Sequence, residues 1–196
     1  MGRLAQTLGR RGDAVAAFTK WLGTILNQSE LEIRRTLNDE TALHFLIAWS
    51  LFEARCFGKY VQAKKLRDYA ETVTFQGFSK ARLSPQFDHF YNRYSEQPRS
   101  KTQLSNLLQD LEKPTEVGRA VRNCLAKEKG NFTEADHIFL VCAVIYRFRN
   151  NMFHGSKGVQ SWLRYKQEIE LCTSAMQELI LHQEAMIQAS SKLEAA

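Results

Sequence analysis

Proline is scarce in these 196 residues: Pro85, Pro98 and Pro114 are the whole set, so long stretches contain nothing that interrupts a helix. No segment of useful length alternates apolar and polar residues with the two-residue period of a strand, which excludes sheet architectures. The chain reads as all-α, an up-and-down helical bundle with additional peripheral helices. Long apolar runs are missing too. The longest, Ile138 to Tyr146, falls far short of the roughly 18 residues that suggest a membrane span. The opening MGRLAQTLGRRGD has no apolar core for a secretory signal, and Gln6 stands where a myristoylation signal wants Ser or Thr. A soluble, cytoplasmic protein with no membrane partner is expected. Cys56, Cys124, Cys142 and Cys172 lie far apart in apolar helical contexts, with no close pair for a zinc knuckle or redox motif, and read as reduced core residues. His44, His89, His137 and His182 show no paired helical spacing suited to zinc. The short GSKG stretch, Gly155 to Gly158, has no strand before it and is too brief to cradle phosphates, which argues against P-loop chemistry. Neither a metal nor a cofactor is expected.

What is present is enough apolar material, 44% of residues, for one buried core. Lys and Arg number 27 against 21 Asp and Glu, a formal charge of +6 that modestly favours anionic partners. Hydrophobic periodicity predicts helices over Asp13 to Asn27, Asp39 to Phe57, Lys59 to Thr72, Thr102 to Leu111, Thr115 to Lys127 and Thr133 to Phe153, with a long final helix from about Gln160 to Ser190. Asn38 is the expected N-cap of the second, Gly58 its stop, and Thr133 the start of the sixth. Residues 1–38 read as a helical extension and 39–190 as the bundle. Within the bundle lies Phe75 to Arg99, an aromatic segment with Gly and two Pro. It is expected as an irregular insertion containing a short helix between Pro85 and Arg93, its rings covering the bundle edge or, less simply, stacking on RNA.

The most informative stretch is IFLVCAVIYRFRNNMFHGSKG, Ile138 to Gly158, where an apolar helix ends in polar residues suited to phosphate. Ile138, Val141, Ile145, Phe148 and Met152 fall on one helical stripe, and Phe139, Cys142, Tyr146, Arg149 and Phe153 on the next, so Arg149 belongs at the margin of the buried face. On an undistorted helix of about 100° per residue Arg149 and His154 lie roughly 140° apart, whereas Asn150 and His154 share a side. A helix end at Gly155, or the meeting of two copies, would bring arginine and histidine together. Each residue also has a plain structural role available: Arg149 paired with Glu53, His154 capping helix carbonyls.

YRFRNNMFHGSK resembles the signature of the HEPN superfamily, an arginine, then a polar residue, then a histidine after four to six intervening positions; Arg149, Asn150 and His154 match with four. RNNMFHG is especially similar to the apea-like branch, and FLIAWSLFEARCFGKY, with Glu53, resembles an upstream helix of that branch. The resemblance covers about Asp39 to Ser190. It implies a helical bundle that homodimerises and cleaves RNA as a metal-independent endoribonuclease by 2′-hydroxyl attack, in a toxin or phage-defence setting with an antitoxin or other protein partner. It casts Arg149 and His154 as catalytic. Asn150 and Lys157 are read as substrate-binding, Asn150 one turn before His154 and Lys157 adding a phosphate contact. The alternatives are a non-catalytic HEPN module binding RNA, nucleotide or protein, and a helical interaction protein whose final helix supplies a dimer surface; the stripe Ile169, Cys172, Met176, Leu179 suits such an interface or equally the core of one chain.

Overall fold

The computed structural model describes residues 2–109, 115–153 and 164–194. The fold is all-helical, and the chain divides into two compact units, Met1–Glu40 and Thr41–Ala196.

The first unit is a helix pair, α1 (Gly2–Leu26) and α2 (Glu30–Leu37). Helix α1 begins well before the expected Asp13, and α2 was not foreseen. Its origin is local: Ser29 Oγ accepts from the Glu32 amide at 3.3 Å while Glu32 Oε2 accepts from the Ser29 amide at 2.9 Å, a reciprocal capping box that nucleates eight residues. Asn27 turns left-handed at φ 52°, and the Gln28 amide reaches back to the Gly23 carbonyl at 2.9 Å. A Cβ at position 23 would lie 2.9 Å from the Gln28 carbonyl oxygen, so this close return depends on glycine. Asn38 caps the C-terminus of α2, its amide donating to Arg34, and is not the N-cap of the next helix.

The second unit contains α3 (Thr41–Cys56), α4 (Leu66–Phe75), α5 (Ser84–Tyr91), α6 (Ser100–Leu108), α7 (Glu116–Leu125), α8 (Glu134–Phe153) and α9 (Lys166–Glu194). Helix α8 is the central rod. Every residue from Ile138 to Ile145 is buried, which explains why this stretch is apolar all round instead of amphipathic. Helices α4, α5, α6, α7 and α9 pack around it, and α3 pairs lengthwise with α9. The stripe Ile169, Cys172, Met176 and Leu179 is fully buried in this core, so it belongs to the bundle and not to an exposed dimer face.

Phe75 to Arg99 differs most from its expectation. It is largely helical: a 3-10 turn at Lys80–Leu83, α5 with Pro85 in its first turn, and a π-helical turn at Asn92–Glu96. Phe78, Leu83, Phe87, Phe90, Tyr91 and Tyr94 are core residues and not a covering layer. Gly77, at φ +83°, makes the connection: its amide donates to Thr74 and that of Phe78 to Val73, at 3.0 and 3.1 Å, closing α4 and turning Phe78 inward. No helix among the described residues is long and apolar enough to cross a membrane.

Candidate functional site

The site predicted from sequence lies at the C-terminal end of α8, and what positions it is the way α8 is fixed at both ends. At the start, Thr133 Oγ1 accepts from the Asp136 amide at 3.1 Å, and Asp136 Oδ2 accepts from the Thr133 amide at 3.0 Å. The same carboxylate receives Arg67 Nη1 at 2.8 Å from α4 and Lys127 Nζ at 2.6 Å from just beyond α7, with Asp136 only 2% exposed. Burial by itself would raise this carboxyl, but the bonds from Lys127, Thr133 and Arg67 outweigh it and hold Asp136 well below the usual carboxylate range. Helix α4 and the segment after α7 are thereby joined to the first turn of α8.

At the other end, Arg147 is buried, 8% exposed, and its guanidinium grips the open end of α6: Nε donates to the Leu107 carbonyl at 3.2 Å and Nη2 to that of Leu108. Asn151, one turn on, donates Nδ2 to the same Leu107 oxygen at 3.1 Å. These bonds satisfy terminal carbonyls where α6 stops at left-handed Gln109, φ 52°. Neither residue was assigned a role from the sequence. The signal was there in the helical phase, because Arg147 follows Leu140 by seven residues and Val144 by three, on a face that is wholly buried. The four-to-six spacing also admits Arg147, with six residues between it and His154, but its guanidinium is committed to backbone within the core.

Arg149 emerges on a different side. It is half-buried, as is Asn150, in keeping with a position at the edge of the buried stripe. Arg149 Nη1 donates to Asn150 Oδ1 at 3.2 Å, and the guanidinium carbon lies 5.6 Å from the centroid of the Trp49 ring on α3. Thus Arg149 and Asn150 come together, with Trp49 beneath the guanidinium. His154 and Lys157, the other two predicted site residues, lie outside the described residues, as does the Gly155 helix stop. Glu53, weighed as a partner for Arg149, accepts the Val61 amide at 3.1 Å and braces the connection after α3.

Other chemically capable groups have structural occupations. Glu168 is buried against Arg93 Nη1 at 2.7 Å, with His89 Nε2 at 3.8 Å. Burial would raise Glu168, yet these neighbours lower it below its ordinary value. His137 packs its ring 3.8 Å from that of Phe87, and His182 lies 5.2 Å from Phe78, where burial and Arg82 lower its pKa. Burial pushes the Cys56 and Cys124 thiols up to about 11 and raises Cys142 and Cys172 as well, so none is a thiolate nucleophile at neutral pH. No cluster of three or more His, Cys, Asp or Glu among the described residues could hold a metal ion. Comparison of the chain with protein-family models, curated proteins and solved structures gave no match.

Proposed function

We propose that this chain is an endoribonuclease of the HEPN class acting as a cytoplasmic homodimer, with RNA as its substrate. The observation that carries the reading is the separation of roles at the end of α8. Arg147 and Asn151 lock the helix from inside the core, while Arg149, two residues away, is left at its margin beside Asn150, within the motif that His154 completes. A permanently charged arginine presented at the margin of an anchored helix is suited to meeting phosphate.

The proposed chemistry is transesterification. The 2′-oxygen attacks phosphorus, the bond to the 5′-oxygen breaks, and a 2′,3′-cyclic phosphate and a 5′-hydroxyl result. One proton leaves the 2′-hydroxyl and one is delivered to the departing 5′-oxygen. An imidazole with an ordinary pKa of about 6.5 can serve either step near neutral pH, and a dimer supplies two copies of His154, one for each. Arg149, permanently charged and able to meet two phosphate oxygens at once, compensates the charge that grows on the phosphorane. Asn150 fixes the guanidinium, and Lys157 adds a phosphate contact. The positive charge in this scheme comes from side chains, which makes the reaction metal-independent. A toxin or phage-defence role with a neutralising partner follows from the resemblance of the motif.

The test is cleavage of mixed-sequence single-stranded RNA in EDTA by wild type, Arg149→Ala and His154→Ala, each verified as folded. Cleavage by wild type alone supports the reading. Equal cleavage by all three removes the motif from the chemistry, and tight RNA binding without turnover by the wild type identifies a non-catalytic binding module.

A further inference from the structure

Trp49 sits on α3 in helical phase with Phe45 and Phe52 and is 5% exposed. As a core residue it is an odd choice. Its Nε1–H is buried and has no hydrogen-bond partner, although buried indoles usually find an acceptor and a buried unpaired donor is costly. Phenylalanine, which fills much of the rest of this core, would avoid that cost. What the indole has that phenylalanine lacks is a larger and more negative π face, and the cation over that face is Arg149, its Cζ 5.6 Å from the ring centroid and so within the roughly 6 Å over which such attraction acts. Phe52, with its ring centroid 6.0 Å away, packs against the same indole and holds the platform still.

We propose that Trp49 is the positioning residue for Arg149: its ring face holds the guanidinium at the end of α8, with Asn150 Oδ1 fixing one corner of the group, in the orientation from which the guanidinium grips a phosphodiester. This rests on the ribonuclease reading and deepens it. A guanidinium recognises phosphate through its N–H edge and an aromatic ring through its flat face, so the two contacts do not compete. A long, flexible side chain at a helix end is thereby ordered before substrate arrives, which reduces the entropic cost of binding. The sequence shows no motif for this, because Trp49 and Arg149 are 100 positions apart and meet only in the folded bundle.

The test is a double-mutant cycle on binding of a short single-stranded RNA whose 2′-hydroxyls are capped as 2′-O-methyl groups to prevent turnover. The proteins are wild type, Trp49→Phe, Trp49→Leu, Arg149→Ala and the double variants. Trp49→Phe loses no hydrogen bond and keeps an aromatic ring, so it is expected to weaken binding only about 3-fold, with Trp49→Leu weaker by about 10-fold. In the Arg149→Ala background both substitutions should have no further effect. A merely structural Trp49 would instead give losses that multiply with that of Arg149→Ala, and that result overturns the proposal. A second readout needs no RNA: with Trp21→Phe and Trp162→Phe in place, Trp49 is the sole tryptophan, and its emission should shift on Arg149→Ala. An emission indifferent to Arg149 refutes the contact whatever RNA does. A shifted emission together with no RNA binding by the wild type keeps the contact and overturns the ribonuclease reading.

Discussion

Arg147 and Arg149 are two residues apart on one helix, yet their substitution by alanine should have opposite consequences. Arg147→Ala removes two hydrogen bonds from a buried cation to the Leu107 and Leu108 carbonyls. Bonds to charged groups are worth about 1.5–3 kcal/mol each, and relief from burying the charge offsets part of that, leaving a net loss of about 3 kcal/mol. With a urea m-value of about 1–3 kcal/mol per molar, the unfolding midpoint should fall by about 1–3 M. Arg149→Ala removes a bond to a sequence neighbour and a contact with Trp49 at a half-exposed position, a loss of about 0.5–1 kcal/mol and a midpoint change under about 1 M. RNA affinity should divide the other way. A guanidinium gripping phosphate contributes about 1.5–3 kcal/mol, so Arg149→Ala should bind RNA about 10- to 100-fold more weakly, while Arg147→Ala, measured where it is folded, should bind within about 3-fold of wild type. Urea titrations followed by circular dichroism and fluorescence-anisotropy binding measure both quantities. An Arg149→Ala protein as destabilised as Arg147→Ala, or an Arg147→Ala protein that loses RNA affinity as Arg149→Ala does, would refute the division of roles.

Asp136→Asn should lower stability at neutral pH by about 2 kcal/mol, because it keeps an acceptor for the Thr133 cap but loses the charge that Arg67 and Lys127 share. The wild-type carboxyl is depressed in the folded state, so its contribution is complete above the unfolded value of about 4 and disappears as pH falls towards the depressed one. Thermal midpoints followed from pH 7 to pH 2 should therefore fall more steeply for wild type than for Asp136→Asn. Gly77→Ala forces a Cβ into φ +83° and should cost about 1–2 kcal/mol, read as a lower urea midpoint with unchanged m-value. Gly23→Ala, with its Cβ 2.9 Å from the Gln28 carbonyl oxygen, should lower stability in spite of alanine's higher helix propensity; proteolysis that nicks the turn between α1 and α2 faster in the variant checks this.

The long helices were legible because apolar periodicity and caps agree on them, as at Thr133, whose side chain starts α8 where the residue pattern places it. Helix α2 was legible in principle, since Ser29 and Glu32 spell a capping box, but its single buried residue, Ile33, gives almost no periodic signal. Asn38 illustrates a different limit: asparagine suits both ends of a helix, and only the position of the next element decides which end it serves. Within Phe75 to Arg99 the short helix expected between Pro85 and Arg93 is α5, but its neighbours are a 3-10 turn and a π turn too short for a period to show, and the rings expected to cover the bundle edge are drawn into the core. At the site, Arg149 stands at the margin that helical phase assigns it, with Asn150 bonded beside it. Arg147 and Trp49 were passed over because their roles depend on α6 and α8 respectively, contacts that no local pattern encodes.

The most direct measurement uses a DNA oligonucleotide carrying a single ribonucleotide, incubated in EDTA with wild type and with His154→Ala. The expected result is a single cut, 3′ to the ribonucleotide, by wild type only, leaving a 2′,3′-cyclic phosphate on one product and a 5′-hydroxyl on the other. Cleavage of the all-deoxy control, or a cut at the same rate by His154→Ala, would contradict it.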